Sequence, residues 1–302
     1  MKVLNISTED YANFAHENAK ALRSIGVDCE DVKTKLHPFN YATQSEIVSR
    51  NVLIWKIENA DIVQMFHTDE ELLKYCLNKK TIVYHTGSRY RSRPSYFNGV
   101  FNPFVNLSFT DQCEFVGLGA KNLHYIATAI DVKDVKKFGH ESKQPYKIGH
   151  FPSNSEVKGT LKILEMLTKL DHEFNLNHSS EIVSHELQQK RMNDCDIYIE
   201  LFKPELNGKP YGCFGVTAFE AAAAGKIVVT QNINEKAYEN AYGGCPFIIC
   251  NNEKDFIFKM NKLLSMSSFE ISLLQTQTYE WVKEKHSYEA TGEYLWSKLQ
   301  AL

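Results

Sequence analysis

The amino-acid sequence predicts an α/β protein with parallel sheets in two domains. Three observations predict it. Strand-length apolar runs alternate with amphipathic helical stretches through the first half, the same alternation resumes after a polar run over Asp131–Tyr146, and the remainder is helical.

Val3-Leu4-Asn5-Ile6 reads as the first strand, followed by a helix over 11–25 with Phe14, Ala21, Leu22 and Ile25 on one face and a turn at Gly26. The strand over 60–66, the helix over 70–77 and the strand Thr81-Ile82-Val83-Tyr84 continue the alternation. Leu107-Ser108-Phe109-Thr110 is a further strand; a helical stretch follows Asp111-Gln112-Cys113, and His124-Tyr125-Ile126-Ala127 leads to Ile130. The run DVKDVKKFGHESKQPY is the linker. It divides a domain over 1–140 from one over 141–280, whose α/β part reaches about Phe256, and 281–302 forms a closing helical segment. That tail is amphipathic, with Trp281, Tyr294, Leu295 and Leu299 on its buried side.

Hydrophobic residues at 43% and charged residues at 24% describe an ordinary globular chain, and 302 residues suffice for two domains. A formal charge of −3 argues against a generally basic nucleic-acid surface. No apolar run approaches the roughly 20 residues that span a bilayer. MKVLNISTEDYANF lacks the pattern of a signal peptide, so a cytoplasmic protein is expected. Seven cysteines, at 29, 76, 113, 195, 213, 245 and 250, have neither disulfide-framework nor metal-ligand spacing, and reduced structural thiols are expected.

Two segments carry chemistry. In FGVTAFEAAAAGKIVVT, Gly215 opens a helix over 217–224, Gly225 ends it, and Ile227-Val228-Val229 is a strand; the turn thus presents backbone amides suited to phosphate. Glu220 lies about one and a half turns further in, where it can accept two ribose hydroxyls. The plainer alternative is a small-residue helix packed on a sheet with Glu220 solvated. In YKIGHFPSNSEVKGTLKILEMLTKL, a strand passes through Pro152-Ser153-Asn154 to Lys158-Gly159-Thr160 and a helix with Leu161, Ile163, Leu164 and Leu167. Lys158 there is either a second phosphate contact or an exposed lysine.

Together these segments resemble the nucleotide-sugar half of GT-B glycosyltransferases, in particular the retaining family-four group. The resemblance implies two Rossmann-like domains facing a cleft, with the last helix crossing back onto the first. It implies a donor site at His150, Ser153, Asn154, Lys158, Gly215, Val216, Thr217 and Glu220. His150 stands where the group commonly has an arginine, and Gly212 stands eight residues before Glu220, where many members carry the first acid of a Glu-x7-Glu pair. Asp196, Glu200 and Glu205 fall near the expected cleft, and Glu200 or Glu205 is a candidate replacement for the missing acid. In the implied mechanism Lys158 and the amides of 215–217 stabilise the departing diphosphate, which helps to deprotonate the acceptor. No metal or cofactor is needed beyond the nucleotide-diphosphate sugar.

Ligands of open α/β sheets gather at the carboxyl ends of strands. In the first half these ends hold Asp10, His67, Asp69 and the run His85-Thr86-Gly87-Ser88-Arg89-Tyr90-Arg91-Ser92-Arg93-Pro94, which is similar to a His-Gly-Ser-x-x-Arg loop of many GT-B members with Thr86 added. Arg89, Arg91 and Arg93 suit phosphate oxygens, or else pair with nearby acids. His67 and His85 are candidate bases for an acceptor hydroxyl, with His85 taken as the catalytic one, or structural histidines. Asp10, Asp69 and Asp111 are alternative bases or helix caps, Asp69 and Asp111 most resembling caps. Asp10, His67, Arg89, Arg91 and Arg93 make the acceptor set. The acceptor is a glycan or other hydroxyl compound, with a hydroxylated base of DNA as an alternative; an inert sugar-nucleotide-binding module and a sugar-nucleotide epimerase are the other readings. The sequence leaves the oligomeric state open.

Overall fold

The computed structural model describes residues 1–37, 39, 41–132 and 142–302; the middle of the expected linker lies outside the described residues. They form two compact units, Met1–Ile130 with His286–Leu302, and Asp131–Lys285.

The first unit runs β1 (Lys2–Ser7), α1 (Phe14–Ser24), β2 (Asp28–Lys33), β3 (Glu46–Ile47), α2 (Arg50–Glu58), β4 (Ile62–Met65), α3 (Glu70–Cys76), β5 (Lys80–Tyr84), α4 (Gly87–Ser92), α5 (Pro94–Phe101), β6 (Leu107–Thr110) and β7 (Leu123–Tyr125). Among the described residues its seven strands are parallel in the order β3-β2-β1-β4-β5-β6-β7, with Val3 facing Cys29 on one side and Ile62 on the other. The buried strands β1, β4 and β5 are apolar enough to read directly from sequence.

β2 escapes that reading because its sequence, DCEDVK, is acidic. The fold neutralises those acids in place. Lys2 and Lys56 hold Glu30 at 2.8 and 2.9 Å, while His16 and Arg23 hold Asp31 at 2.7 and 2.6 Å. Two expected elements also change form. Only a 3-10 turn, Cys113–Phe115, follows β6, and the arginine segment is not a loop but α4 and α5 joined at Arg93, because Pro94 can start a helix but not continue one.

The second unit runs β8 (Lys147–His150), α6 (Ser155–Lys158), α7 (Thr160–Leu167), β9 (Asn175–His178), α8 (His185–Asn193), β10 (Ile197–Ile199), the hairpin β11 (Glu205–Leu206) and β12 (Lys209–Pro210), α9 (Val216–Ala223), β13 (Ile227–Thr230), α10 (Glu235–Tyr242), β14 (Ile248–Ile249), α11 (Glu253–Leu264) and α12 (Ser268–His286). Among the described residues its five-stranded parallel sheet has the order β14-β13-β10-β8-β9. Ile148, Ile163, Met166, Ile197, Val229, Phe256 and Met260 meet in one core. Leu161, expected on the buried face of α7, is 85% exposed. Gly159, at φ +70°, breaks the chain between α6 and α7, and the phase of α7 then buries Thr160, Ile163, Met166 and Leu167.

The tail is two helices rather than one. Trp281 lies in α12 and packs in the second unit, stacked on Phe219 and edge-on to Phe247 at 4.9 Å. Return to the first unit therefore begins at His286 and not at 281. Ser287 caps α13 (Tyr288–Leu299), and α13 lies on α1 with Leu295 and Leu299 in the core of Phe14 and Leu22. Ile130 N–H donates to the His286 carbonyl at 2.8 Å beside it. All seven cysteines are free thiols, and no helix among the described residues is long and apolar enough to cross a membrane.

The α1–α13 contact is close because Gly292 has no side chain; a Cβ there would strike the Ala21 carbonyl. Gly292→Val is expected to cost about 1 to 3 kcal/mol through overpacking, read as an earlier urea midpoint for the whole chain. An unchanged midpoint would mean that the helices can separate without penalty.

Candidate functional site

In the second sheet the chain goes from β8 outward to β9 and then returns across β8 to β10. The carboxyl ends of β8 and β10 thus flank a topological switch point, the place where such sheets bind ligands. Glu200 follows β10 there, and Lys158 ends α6 just beyond β8.

The Lys158 ammonium pairs with Glu200 Oε1, while Thr230, ending β13, donates to Glu200 Oε2 at 2.8 Å. The Glu200 side chain is 0% exposed and that of Lys158 is 21% exposed, so the cation alone reaches solvent. Lys158 is held from behind as well: its carbonyl accepts from Phe202 N–H at 3.1 Å, and Gly159 packs where a Cβ would collide with the Phe202 carbonyl. Gly215 comes to the same point from α9. A Cβ on it would run into the Glu200 carboxylate and stand 3.0 Å from Lys158 Nζ. Only glycine lets the first turn of α9 approach the ammonium so closely. Thr217 bonds the phenol of Tyr198, whose own ionisation burial suppresses.

Lys158, Gly215, Val216 and Thr217 are therefore brought together. His150 is not part of that group: it is fully buried, its Nδ1 donates to the Ile199 carbonyl at 2.8 Å, and its Nε2 accepts from Thr160 at 3.0 Å. Burial pushes it down to about 4, so it offers no positive charge to a phosphate. Asn154 caps α6 by accepting from Val157 N–H at 3.1 Å, and Ser153 is exposed in the preceding bend. Glu205 is exposed in the β11–β12 hairpin, and Asp196 accepts from Lys147 N–H at the amino end of β10, opposite the site.

Neither Glu200 nor Glu205 occupies the place of the missing acid. Gln231 does, because a Cβ on Gly212 would meet the Gln231 amide at 2.8 Å, and Gly212 has φ +117°. Gln231 is itself buried and accepts from Lys203 N–H at 2.7 Å. Glu220 faces α8, where its Oε1 meets His185 Nε2 at 2.6 Å, and Gln189 also reaches that imidazole. Sequence reasoning passed over both Gln231 and His185. The polar triplet Thr230-Gln231-Asn232 directly after a buried strand was a signal for the first; His185, next to its capping Ser184, gave none.

The first sheet reverses direction between β1 and β4. At the carboxyl ends of β1, β4 and β5 lies a cavity of about 520 Å³ whose wall includes Thr8, Glu9, Tyr11, His67, Thr86 and Arg89. Asp10 is fully buried, accepting from Ala15 N–H at 2.8 Å and His16 N–H at 3.1 Å at the start of α1, and from His67 Nε2 at 3.2 Å. His67 Nδ1 meets Thr86 Oγ1 at 2.8 Å.

His85, expected as the catalytic base, is a core residue. It stacks on Tyr90 at 4.1 Å, is 0% exposed, and is pushed down to about 3 by burial. The arginines disperse. Arg89 borders the cavity and pairs with Asp69 and Glu70 at 3.9 and 3.4 Å, Arg91 is tied to Glu114 at 2.7 Å and Gln112 at 3.0 Å, and Arg93 lies over Tyr96 and Phe97. Asp69 caps α3 as expected. Asp111 does not cap the following turn; burial pushes its carboxyl up to about 6.

No sequence-family profile and no curated protein matches this chain. Solved structures do. HepE of Anabaena with UDP-glucose superposes with a TM-score of 0.70 at 10% identity, and with UDP and glucose at 0.69 and 12%, each covering 100% of both chains. Sucrose-phosphate synthase of Thermosynechococcus elongatus gives 0.66 at 10% identity and 100% of both chains. The lipopolysaccharide outer core galactosyltransferase WaaB gives 0.63 at 12%, covering 100% of this chain and 99% of that one. The chain has the GT-B fold of these proteins.

An acid at position 212 should not be accommodated. Gly212→Glu is expected to lose about 1 to 3 kcal/mol from the left-handed backbone alone, with Gln231 displaced besides. A thermal melt as high as the parent's would show that the carboxylate finds room.

Proposed function

We propose that the protein is a glycosyltransferase that moves a sugar from a nucleotide-diphosphate sugar to a hydroxyl acceptor. The observation that carries this reading is the convergence of Lys158 and the glycine-opened first turn of α9 on one point of the second unit. Two kinds of diphosphate contact meet there: a charged donor held in place by Glu200, and fixed backbone amides at a helix start. Complexes of HepE with UDP and UDP-glucose support a uridine-diphosphate sugar as the donor class.

Charge accumulates on the diphosphate as its bond to the anomeric carbon breaks. Lys158 and the amides of Val216 and Thr217 are aimed at that charge before it forms, which is how an enzyme lowers a barrier without reorganising at the moment of reaction. Glu220 supplies Oε2 to a ribose, its Oε1 being held by His185. Retention is carried by the resemblance to family four; the donor clamp serves it without a protein nucleophile or a metal. Among acceptors, a glycan or other alcohol fits better than DNA, since Arg91 and Arg93 are committed to Glu114 and to aromatic rings.

Lys158→Ala should forfeit about 1.5 to 3 kcal/mol of transition-state stabilisation, roughly 10- to 150-fold in kcat/KM. It also strands the buried Glu200 charge, at a cost of about 3 to 5 kcal/mol in stability. The double variant Lys158→Ala with Glu200→Gln separates the two: it should recover the melting temperature and not the rate of radiolabelled sugar transfer. Recovery of the rate as well would remove Lys158 from the mechanism.

Glu220→Gln is expected to weaken UDP binding, measured by calorimetry, by about 1.5 to 3 kcal/mol, as for hydrogen bonds to a charged group. Unchanged affinity would displace the ribose from this carboxylate. UDP binding with no turnover of any nucleotide sugar would leave an inert module.

A further inference from the structure

Glu220 and His185 both belong to the second unit, on the neighbouring helices α9 and α8. His185 is the first residue of α8, and the start of that helix is fixed from several sides. Ser184 accepts from Leu187 N–H at 3.4 Å, Gln188 Nε2 donates to the Phe151 carbonyl just beyond β8 at 3.2 Å, and Arg191 holds Glu181 at 2.7 Å. The imidazole is thereby carried against α9. Its Nε2 lies 2.6 Å from Glu220 Oε1, and the Gln189 amide, one turn further along α8, comes within 3.2 Å of the same nitrogen.

A carboxylate only accepts, so Nε2 carries the proton and donates it to Oε1. The bond is short and its acceptor is charged, which makes it one of the stronger hydrogen bonds a side chain forms. The Glu220 side chain is only 12% exposed. A carboxylate so enclosed keeps the orientation that its partner gives it. Among the described residues no group bonds Oε2.

One carboxylate can read the two adjacent hydroxyls of a ribose when each of its oxygens faces one of them. Here Oε1 is turned towards α8, and a hydroxyl that sought it would compete with the imidazole for the same oxygen. One oxygen remains for the sugar.

We propose that His185 makes Glu220 a reader of a single ribose hydroxyl. The inference rests on the donor-site reading above and names the class of donor: nucleoside diphosphate sugars in which one ribose hydroxyl is required and its neighbour is dispensable. Deoxyribonucleotide donors that keep the required hydroxyl belong to that class. Loss of the other hydroxyl leaves no carboxylate oxygen unpaired, and an unpaired polar group is what makes a missing hydroxyl costly. His185 acts through Glu220 and is a positioning residue.

The test compares UDP, 2′-deoxy-UDP and 3′-deoxy-UDP by calorimetry on the full chain. In the wild type one deoxy analogue should bind within about 3-fold of UDP and the other at least about 10-fold more weakly, as for loss of a hydrogen bond to a charged group. His185→Ala releases Oε1, so both analogues should then fall at least about 10-fold below UDP. His185→Gln keeps an amide donor for Oε1 and should preserve the wild-type asymmetry. Glu220→Ala should erase the discrimination altogether. Equal losses for both analogues in the wild type would show that Glu220 takes both hydroxyls past His185, and equal affinities for all three would show that it takes neither. Either result, or an asymmetry that survives His185→Ala, would overturn the inference and leave the diphosphate site standing. A wild-type chain that binds neither UDP nor inorganic pyrophosphate would sink the donor site and the inference together.

Discussion

The second unit is organised around a carboxylate placed out of reach of water. Glu200 is completely buried, and burial of an unpaired charge costs several kcal/mol. Lys158 offsets that cost, so the ammonium is obliged to sit at the switch point whether or not a ligand is bound. Gly159 and Gly215 are obliged in turn, one letting α6 close against Phe202, the other letting α9 begin over the pair. A binding charge that is already fixed loses little entropy when it meets its ligand. In the proposed donor site, phosphate oxygens share Lys158 with Glu200 and take their other donors from α9.

The first unit uses the opposite economy. Its ionisable pair, Asp10 and His67, is held by backbone forced into sparsely populated conformations rather than by a charge that must be neutralised. Free energy stored in the turns is retained because each connection is held between a buried parallel strand and the helix that follows it, β1 and α1 for one, β4 and α3 for the other. Each unit therefore places its polar groups where its strand order reverses, and does so by different physical means.

Elements were legible where burial made the sequence monotonous. The apolar strands β1, β4, β5 and β13 and the helix α9 announce themselves by composition and period, and Lys158 and Gly215 by their position just before amphipathic or alanine-rich helices. β2 was illegible because its acids are neutralised by Lys2, Lys56, His16 and Arg23, three of them distant in sequence. His85 and His150 illustrate a second limit. A histidine at a strand end looks functional, but whether it is wet or dry depends on the neighbours that cover it, here Tyr90 for one and the Ile199 carbonyl with Thr160 for the other. The role of Gly212 needed the structure for the same reason: only packing shows that Gln231 has filled the space.

The last helix has a consequence for synthesis. Chain order interposes the whole of Asp131–Lys285 between the sheet of the first unit and the helix α13 that covers α1 on it. The apolar face of α1 is made within the first two dozen residues, yet its partner Leu295 is made only after the second unit is complete. During translation the second unit can close on itself while the first must wait with Phe14 and Leu22 incompletely covered. Of the two units, the one that begins the chain is the one that finishes folding last.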